Sequence, residues 1–280
     1  MKEVSGKAAF ITGGASGLGL AMAKSFSGAG MKVAIADVQE DALVAAQENF
    51  SDSNAEVIAV QVDVTDRQAL EDAADEAETA FGKIHVVCNN AGVAVSGNIK
   101  DHSFQDWDWL MGVNVNGVIN GTQVFTNRIL NHGEGGHIVN TASMAGLLPI
   151  AALSVYNTSK FAVVGMSEAI AQDPAKFNIG VSVLCPGFVD TNIYTSERNR
   201  PPGLGGEAAS SFNLPEGTIE EVSFDSMIKA SMVGDMVLHA IQNNEMYIFS
   251  HPEFNEAIQE RHQSMLDAFE RWSSFRANYE

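Results

Sequence analysis

A glycine-rich stretch near the start of the chain constrains the fold more than any other feature. Residues 12–19 read TGGASGLG and lie between an apolar run at residues 7–12 and a helical pattern at residues 18–30. Glycines at such a turn let the backbone approach a pyrophosphate, which the N–H groups and dipole of the following helix attract. Taken alone the turn is a weak signal, because a simple tight turn has the same composition.

The rest of the chain alternates between short apolar runs and helical patterns. Further strands are predicted at residues 32–37, 56–62, 84–89, 136–142, 179–185 and 246–250, and helices from about residue 40 and at about 65–81, 104–132 and 156–177. Thr65 and Gln68 have the spacing of a capping box at the start of one of these helices. Such alternation indicates βαβ units. The sequence therefore predicts one α/β domain over residues 1–280, Rossmann-type and doubly wound, with a mainly seven-stranded parallel sheet and helices on both faces.

Two segments depart from this regular pattern. Residues 197–221 are rich in glycine and proline, and long loops inside compact domains are usually functional, so we predict a substrate lid at about residues 188–228. A tail at about residues 251–280 carries apolar residues among charges at helical spacing. This tail is predicted to form one or two amphipathic helices.

Composition excludes several classes of partner. The net charge of −19 comes from 16 Lys and Arg against 35 Asp and Glu, and such a surface repels phosphate backbones and anionic lipids. Cys88 and Cys185 lie in apolar runs, which fits a reducing compartment better than a disulfide framework. No apolar run reaches the ~18 residues of a membrane span, and the first strand leaves no room for a signal peptide. We expect a soluble, cytoplasmic protein without nucleic-acid or membrane partners.

Asp37 is the candidate residue for discriminating between NAD and NADP. It ends the second predicted strand, eighteen residues after Gly19, where a carboxylate can accept both ribose hydroxyls of NAD and repel the 2′-phosphate of NADP. No Lys or Arg occurs at residues 13–19 and Val38 follows Asp37, so these residues offer no cation to that phosphate. The sequence predicts NAD, and a solvated acid at a strand end is the alternative.

Tyr156, Lys160 and Ser143 are the candidate catalytic group. On a helix, Tyr156 and Lys160 are four residues apart and share a face. An ammonium beside a phenol favours the phenolate, so Lys160 is expected to lower the pKa of Tyr156 from its usual value of about 10. Such a tyrosine can exchange a proton with a carbonyl oxygen, to which Ser143 can donate a hydrogen bond. Taken alone, the pair could equally be a surface tyrosine and an unrelated lysine.

These motifs are joined by others in an order that resembles the short-chain dehydrogenase/reductase family, in its single-domain branch. The further motifs are Asp63-Val64, Asn89-Asn90-Ala91-Gly92, Asn114, and Pro186-Gly187-x-Val189-x-Thr191. The resemblance runs from about residue 7 to residue 191 and continues more weakly through the seventh strand. Each motif alone has a plain structural reading, such as a turn or a helix cap, but the ordered set is specific.

The resemblance implies roles for the matching residues. It implies a proton relay of Asn114, Ser143, Tyr156 and Lys160, with Tyr156 accepting the alcohol proton while hydride passes to the nicotinamide. It implies a cofactor site made of Gly13, Ser16, Gly17, Leu18, Gly19, Asp37, Val38, Asp63, Val64, Asn90, Ala91, Gly92, Tyr156, Lys160, Pro186, Gly187, Val189 and Thr191. No metal is required, and the seven histidines show no ligand spacing.

The substrate side is predicted to be largely apolar. Its candidate residues are Val93, Val95, Ser143, Met144, Leu148, Ile150, Tyr156, Phe188, Ile193 and Tyr194. We therefore expect a bulky, apolar secondary alcohol or ketone as substrate. The long lid and tail are similar in overall pattern to dehydrogenases of benzylic alcohols in lignin-derived aryl ethers, so an aryl group is one candidate.

Other readings stay open at this point. A 3-oxoacyl-carrier-protein reductase shares the four relay residues, although Asp37 and the negative charge argue against it. A non-catalytic NAD-binding sensor or scaffold usually loses the tyrosine or the lysine, and both are present here. An epimerase or dehydratase usually has a larger substrate domain. We expect a homo-oligomer, either a dimer or a tetramer, in which the tail could block or extend an interface.

Overall fold

The computed structural model describes residues 1–51, 54–173, 178–205 and 227–279. The chain separates into two compact units, Met1–Ser250 and His251–Glu280. The boundary coincides with the start of the predicted C-terminal tail. The first unit is built around a sheet, and the second is helical.

The first unit contains seven parallel strands. In chain order they are β1 Ala8–Thr12, β2 Lys32–Asp37, β3 Val57–Gln61, β4 Val86–Asn89, β5 Gly136–Thr141, β6 Ile179–Cys185 and β7 Tyr247–Phe249. Across the sheet their order is β3-β2-β1-β4-β5-β6-β7, and neighbouring strands are parallel throughout. The central strands are almost wholly apolar because both faces are covered. The predicted Rossmann-type, seven-stranded parallel sheet is confirmed.

Helices cover the two faces of this sheet. They are α1 Gly17–Gly28, α2 Glu40–Glu48, α3 Arg67–Phe81, α4 Phe104–Met111, α5 Gly117–His132, α6 Ser154–Gln172 and α7 Ala230–Asn243. One apolar core lies between the strands and α1, α2 and α7. A second core lies between the strands and α3 and α5, where the rings of Phe10 and Phe125 are 4.7 Å apart. Each such fully buried side chain stabilises the fold by about 1.5–3 kcal/mol.

The predicted long helix over residues 104–132 is present, but it is not a regular α-helix throughout. A π-helical turn, Gly112–Asn116, separates α4 from α5. The wider turn carries Asn114, whose Oδ1 accepts from Val93 N at 2.8 Å and whose Nδ2 donates to Val93 O at 2.9 Å. The side chain is fully buried, and these tertiary hydrogen bonds outweigh the local preference for a regular helix.

The predicted capping box of Thr65 and Gln68 is wrong. Asp66 caps α3, and its Oδ1 accepts from Gln68 N at 2.9 Å and from Ala69 N at 3.0 Å. Thr65 instead donates its hydroxyl to Asp63 Oδ1 at 2.8 Å. An ionised carboxylate is the stronger acceptor at a helix start, so the neighbouring aspartate takes the cap.

The two irregular segments are described in part. After β6 the backbone makes short 3₁₀ turns at Asn192–Asn199 and Pro202–Leu204, within the predicted lid. The rest of that lid, residues 206–226, and the predicted end of the helix at residues 174–177 lie outside the described residues. The second unit has one continuous helix, α8 Asn255–Ala277. In the described part of the chain, no helix combines the length and apolarity that a bilayer crossing requires.

Two helical glycines provide a matched test of this packing. A methyl group on Gly121 of α5 would overlap Asn89 Oδ1, and Asn89 is held by hydrogen bonds to Thr122 Oγ1 at 3.2 Å and Asn140 Oδ1 at 2.9 Å. Gly121→Ala should therefore lower the free energy of unfolding by about 1–3 kcal/mol. Gly165→Ala in α6 meets no atom within 4 Å and should raise it by about 0.5–1 kcal/mol. Urea denaturation measures the free energy of unfolding of both variants. Changes of the same sign in the two variants would contradict the described contact of α5 with the sheet.

Candidate active site

A cavity of about 440 Å³ lies where the carboxyl ends of the strands meet. The strand order reverses between β1 and β4, and open α/β sheets bind ligands in the crevice at such a point. The cavity is lined by residues predicted for the cofactor, catalytic and substrate sites. They are Gly13, Ser16, Gly17, Leu18, Asp37, Val38, Asp63, Val64, Asn90, Ala91, Gly92, Val93, Ser143, Tyr156, Lys160, Pro186, Gly187, Val189, Thr191, Ile193 and Tyr194.

The glycine-rich turn is packed too tightly for side chains. Gly13 has a φ of +61°, and a Cβ there would lie 2.9 Å from Ala91 Cα. A Cβ on Gly19, in the first turn of α1, would overlap Gly13 O. Gly19 does not line the cavity. Glycine is required at this position because α1 and the turn pack closely against each other.

Thr12 and Asn90 tie the turn to the end of β4. The backbone N–H groups of Asn90 and Ala91 donate to Thr12 Oγ1 at 2.9 and 3.0 Å. Asn90 Nδ2 donates in return to Thr12 O at 2.9 Å and to Gly13 O at 3.3 Å. Sequence reasoning did not single out Thr12 as a site residue, although its place at the start of the TGGASGLG motif was a usable signal.

Asp37 ends β2 with its carboxylate held by backbone donors. Its Oδ2 accepts from Ala15 N at 3.2 Å, and its Oδ1 accepts from Gln39 N at 3.1 Å. These two hydrogen bonds orient the carboxylate beside the glycine-rich turn. A carboxylate has about four acceptor positions, so it retains capacity for hydroxyl donors of a ligand.

The ends of β3 and α5 form the neighbouring wall. Asp63 Oδ1 is occupied by the N–H and hydroxyl of Thr65, at 2.9 and 2.8 Å. Val64 is buried, and its carbonyl accepts from Asn120 Nδ2 at 2.9 Å. Val64 therefore offers an apolar surface to this end of the cavity, as a flat ring system requires.

Ser143, Tyr156 and Lys160 meet at the other end of the cavity. Ser143 follows β5, and its hydroxyl is hydrogen-bonded to Tyr156, which lies in the first turn of α6. Lys160 lies one turn further along α6, with its Nζ 5.5 Å from the centre of the Tyr156 ring. The ammonium donates to Thr141 O at 3.0 Å. The phenol is thus hydrogen-bonded to the Ser143 hydroxyl and lies one helical turn from the residue that carries the ammonium.

Burial shifts the pKa values of Tyr156 and Lys160 in opposite directions. It raises the pKa of the Tyr156 phenol to about 12, although the hydrogen bond with Ser143 acts to lower it. It lowers the pKa of the Lys160 ammonium to about 8. The predicted lowering of the Tyr156 pKa is wrong for the isolated chain, because removal of the phenolate from water outweighs the hydrogen bond with Ser143.

Asn114 lies behind the cavity and does not line it. Its Nδ2 also donates to Ser159 Oγ at 3.1 Å, and Ser159 donates to Tyr156 O at 2.8 Å. A Cβ on Gly92 would lie 3.5 Å from both Asn114 Oδ1 and Lys160 Nζ, so glycine leaves the space between them open. Asn114 is thereby linked to α6 through Ser159, a residue that sequence reasoning missed.

The segment after β6 closes the side opposite α6. Ser143 Oγ donates to Pro186 O at 3.4 Å, and Gly187 N donates to Ser250 Oγ at 3.3 Å. Thr191 lies against the glycine-rich turn, since a Cβ on Gly17 would be 3.1 Å from Thr191 Cβ. The backbone thus passes from the catalytic end of the cavity to the glycine-rich turn within a few residues.

The predicted substrate residues divide into two groups. Val93, Ile193 and Tyr194 line the cavity with Ser143 and Tyr156, and Trp109, Val113 and Leu204 join them from α4, the π-helical turn and the lid segment. The remaining predicted substrate residues lie outside its lining: Val95, Met144, Leu148, Ile150 and Phe188. Trp109 was missed because α4 reaches the site only through tertiary packing.

Arg200 fixes the lid segment to α4. It donates to both carboxylate oxygens of Glu197 and to Asp106 Oδ1, each at 2.7 Å. Its guanidinium lies 4.3 Å from the centre of the Trp109 ring, within the range of a cation–π contact. Because this arginine is anchored from several sides, it holds residues 192–204 beside the cavity.

Arg198 brings a cation to the Asp37 end of the cavity. It lines the cavity, and its Nη2 donates to Gln39 Oε1 at 3.4 Å, two residues beyond Asp37. The sequence prediction found no cation for this region in residues 13–19 and 38. Arg198 lies far away along the chain, and no local signal announces the contact.

Comparison with known proteins identifies the family. The sequence model of the family described as short chain dehydrogenase matches residues 7–202, most of the first unit. The chain therefore belongs to the short chain dehydrogenase family.

Full-length relatives support the same assignment. The "CLA biosynthesis dehydrogenase/reductase" of Lactiplantibacillus plantarum is 34% identical and covers 93% of both chains. The "C alpha-dehydrogenase" of Sphingobium sp. is also 34% identical, with coverage of 96% of this chain and 88% of the relative. A short chain dehydrogenase/reductase from Burkholderia phymatum, solved in complex with NAD, superposes with a TM-score of 0.89 at 39% identity over 95% of this chain and 96% of that one.

The burial of Lys160 predicts a stability effect. At pH 7 the ammonium is charged in both the folded and the unfolded chain, and a pKa lowered to about 8 corresponds to a cost on the order of 3 kcal/mol. Lys160→Met keeps the length and removes the charge, while Thr141 O loses its donor. We expect the melting temperature at pH 7 to rise by a few degrees.

The difference in stability between Lys160→Met and the wild type should depend on pH. Between pH ~8 and ~10.5 the unfolded chain binds more protons than the folded one, so wild-type stability rises with pH and the advantage of the variant shrinks. Lys24→Met, at an exposed position on α1, is the control and should change little. A melting temperature below that of the wild type for Lys160→Met would contradict the analysis.

Proposed function

We propose that this chain is an NAD-dependent dehydrogenase that interconverts bulky, apolar secondary alcohols and ketones, including aryl-substituted ones. The observation that carries the proposal is the continuity of one cavity. Asp37 and the glycine-rich turn line one end of it, and Ser143, Tyr156 and Lys160 line the other. A ligand that extends from the turn therefore reaches the phenol within the same space.

The residues present fit a nicotinamide dinucleotide. The side chain of Ser16, the residue that precedes α1, makes no capping hydrogen bond to the helix, so the N-terminus is open to a phosphate. Asp37 would accept the ribose hydroxyls of the adenosine half, with Val38, Asp63 and Val64 around the ring. The nicotinamide half would be held by Asn90, Ala91, Gly92, Lys160, Pro186, Gly187, Val189 and Thr191. When bound, NAD supplies the acceptor or donor of hydride.

The proton chemistry belongs to Ser143 and Tyr156. Ser143 donates a hydrogen bond to the substrate oxygen, and Tyr156 exchanges a proton with the same oxygen. Because burial keeps the Tyr156 phenol protonated at neutral pH, the isolated chain is prepared as an acid for ketone reduction. Lys160 stabilises the phenolate when it forms, since its ammonium faces the ring. Asn114 supports this group from behind through Ser159.

The apolar lining supports a bulky substrate without a charged group. Trp109, Val113 and Leu204 stand with Tyr194 on the substrate side, and an aromatic ring packs well on such surfaces. The likeness to a relative named C alpha-dehydrogenase adds support for a dehydrogenase. We include in this proposal a cytoplasmic homo-oligomer, dimer or tetramer, with residues 188–228 as lid and residues 251–280 as tail.

A substrate panel tests the proposed function. NADH formation from NAD should be measured with aliphatic and aryl secondary alcohols, with NADP run alongside. We expect turnover with NAD and higher kcat/KM for bulky aryl alcohols than for small aliphatic ones. Tyr156→Phe removes the proton donor and should lower kcat by about 10²–10⁴-fold.

Binding separates a catalytic defect from a folding defect in this panel. Tyr156→Phe should bind NADH with nearly wild-type affinity by fluorescence titration, because the hydroxyl acts on the substrate oxygen. Binding of NADH without turnover in either direction would favour a non-catalytic sensor. Clear preference for NADP would refute the assignment of Asp37, and faster turnover of simple aliphatic alcohols would refute the aryl preference.

The raised pKa of Tyr156 predicts opposite pH profiles for the two directions. Oxidation requires the phenolate, whose fraction increases about tenfold per pH unit below the pKa, so kcat/KM for the alcohol should rise steeply from pH 6 to 8. Reduction requires the phenol, which stays protonated in this range, so its kcat/KM should be flat. An oxidation profile that is flat or falls with pH would argue against Tyr156 as the titrating group.

A further inference from the structure

We propose that Arg198 is a cofactor-binding residue whose guanidinium contacts the diphosphate of the dinucleotide. The inference rests on the proposed function, because it assumes that the cavity binds a nicotinamide dinucleotide. It adds a residue from outside the family motifs to the cofactor site and gives a role to the first part of the lid segment. Four observations on the described residues support it.

The first observation is where the guanidinium lies. Arg198 is exposed, and its Nη1 donates to Asn192 O at 3.0 Å and to Thr195 O at 2.8 Å. Its Nη2 reaches Gln39 Oε1 at 3.4 Å, on the far side of the cavity. The arginine therefore bridges the segment after β6 and the segment after β2.

The second observation is the proximity of this segment to the glycine-rich turn. Thr191, one residue before Asn192, lies against Gly17. Asn192 O in turn accepts from Arg198. The guanidinium is thus connected through two residues, Asn192 and Thr191, to the turn at which a diphosphate is expected to lie. A guanidinium matches phosphate oxygens in geometry as well as charge.

The third observation is the charge of the cavity. Among the described residues that line it, the carboxylates are Asp37, Asp63 and Asp108, and the cations are Lys160 and Arg198. Lys160 is buried at the catalytic end and is held by Thr141. At the other end of the cavity, Arg198 is therefore the lining cation that can balance the two phosphate charges of a dinucleotide. The chain as a whole has a net charge of −19, so a cation at this place matters for binding an anion.

The fourth observation is the anchoring of the segment. Arg200, two residues further on, is nearly buried and fixed by Glu197, Asp106 and Trp109. Ser196 Oγ accepts from Ala94 N at 3.1 Å in the loop after β4. With Ser196 and Arg200 fixed, Arg198 is held at the cavity at low entropic cost. Its Nη1 is engaged by Asn192 and Thr195, whereas the Nη2 contact to Gln39 is long, at 3.4 Å, and can exchange for a phosphate oxygen.

The test compares ligands with and without phosphate. Dissociation constants of NADH, ADP-ribose and adenosine should be measured at low salt for wild type, Arg198→Gln, Arg198→Lys and Lys24→Gln, by NADH fluorescence and by competition against it. Lys24→Gln removes one exposed positive charge outside the cavity lining and is the matched control. Thermal melts check that each variant is folded.

We expect Arg198→Gln to weaken NADH and ADP-ribose binding about tenfold, the effect of a charge-assisted hydrogen bond of about 1.4 kcal/mol. Adenosine binding should not change, Lys24→Gln should stay within about twofold of wild type, and Arg198→Lys should recover part of the loss. At 0.5 M salt the difference between wild type and Arg198→Gln should shrink, because exposed charges are screened.

Several outcomes would overturn the inference. Unchanged NADH binding in Arg198→Gln would exclude the contact, and an equal loss for adenosine would indicate a packing role. A loss confined to NADPH, titrated in parallel, would assign Arg198 to a 2′-phosphate instead. If the folded wild type binds no NADH at all, the proposed function itself fails. Wild-type binding with an unaffected variant refutes the role of Arg198 alone.

Discussion

The hydrogen bonds between Thr12 and Asn90 hold the carboxyl ends of β1 and β4 together, and the site depends on this arrangement. β1 and β4 are neighbours at the reversal of the strand order, and the chain leaves them in different directions. Thr12 Oγ1 accepts from two backbone N–H groups after β4 and donates to Cys88 O at 3.3 Å. The crevice between the two strand ends is thereby fixed in width, which positions the glycine-rich turn relative to Gly92 and Lys160.

A buried polar network continues this role across the sheet. Asn89 donates to Asn140, and Asn140 donates to Ser167 in α6 at 3.0 Å. Because α6 also carries Tyr156 and Lys160, this chain of side chains connects β4, β5 and the catalytic helix. Asn89 takes part through its Nδ2, whereas its buried Oδ1 has no hydrogen-bond partner among the described residues. Buried hydrogen bonds of this kind favour one arrangement of their elements, since a shift leaves further polar groups unpaired. The positions of the phenol and ammonium therefore depend on residues outside the lining of the described cavity.

Much of this fold could be predicted from the sequence, because its signals are local. Parallel strands buried on both faces appear as short apolar runs, and the run at residues 179–185 coincides with β6. The π-helical turn at Asn114 was missed since its cause is a contact with Val93, twenty-one positions away. The cap of α3 was misassigned because Thr65 and Asp66 are both acceptable N-cap residues, and the choice depends on Asp63 occupying the threonine.

The same distinction explains which site residues were accessible to sequence reasoning. Gly13, Asp37, Tyr156 and Lys160 stand in motifs whose spacing follows from a strand, a turn or a helix. Irregular backbone and tertiary packing bring Arg198 and Trp109 to the cavity and Arg200 against Trp109, and no periodicity of the sequence predicts such contacts. Residues on loops of this kind adapt the site of a common fold, since loops carry specificity while the sheet positions the shared motifs.

The opposite pKa shifts of Tyr156 and Lys160 have one common cause, which is burial. Burial favours the neutral form of both groups, so the isolated chain holds the phenol's proton firmly and the ammonium's proton loosely. Hydrogen-bond acceptors near Lys160 Nζ raise the pKa of the ammonium, and a nearby ammonium lowers the pKa of a phenol. The ammonium has three N–H donors, and one of them is hydrogen-bonded to Thr141 O. The pKa of each group is therefore set by how far it is removed from water and by the hydrogen bonds that it makes.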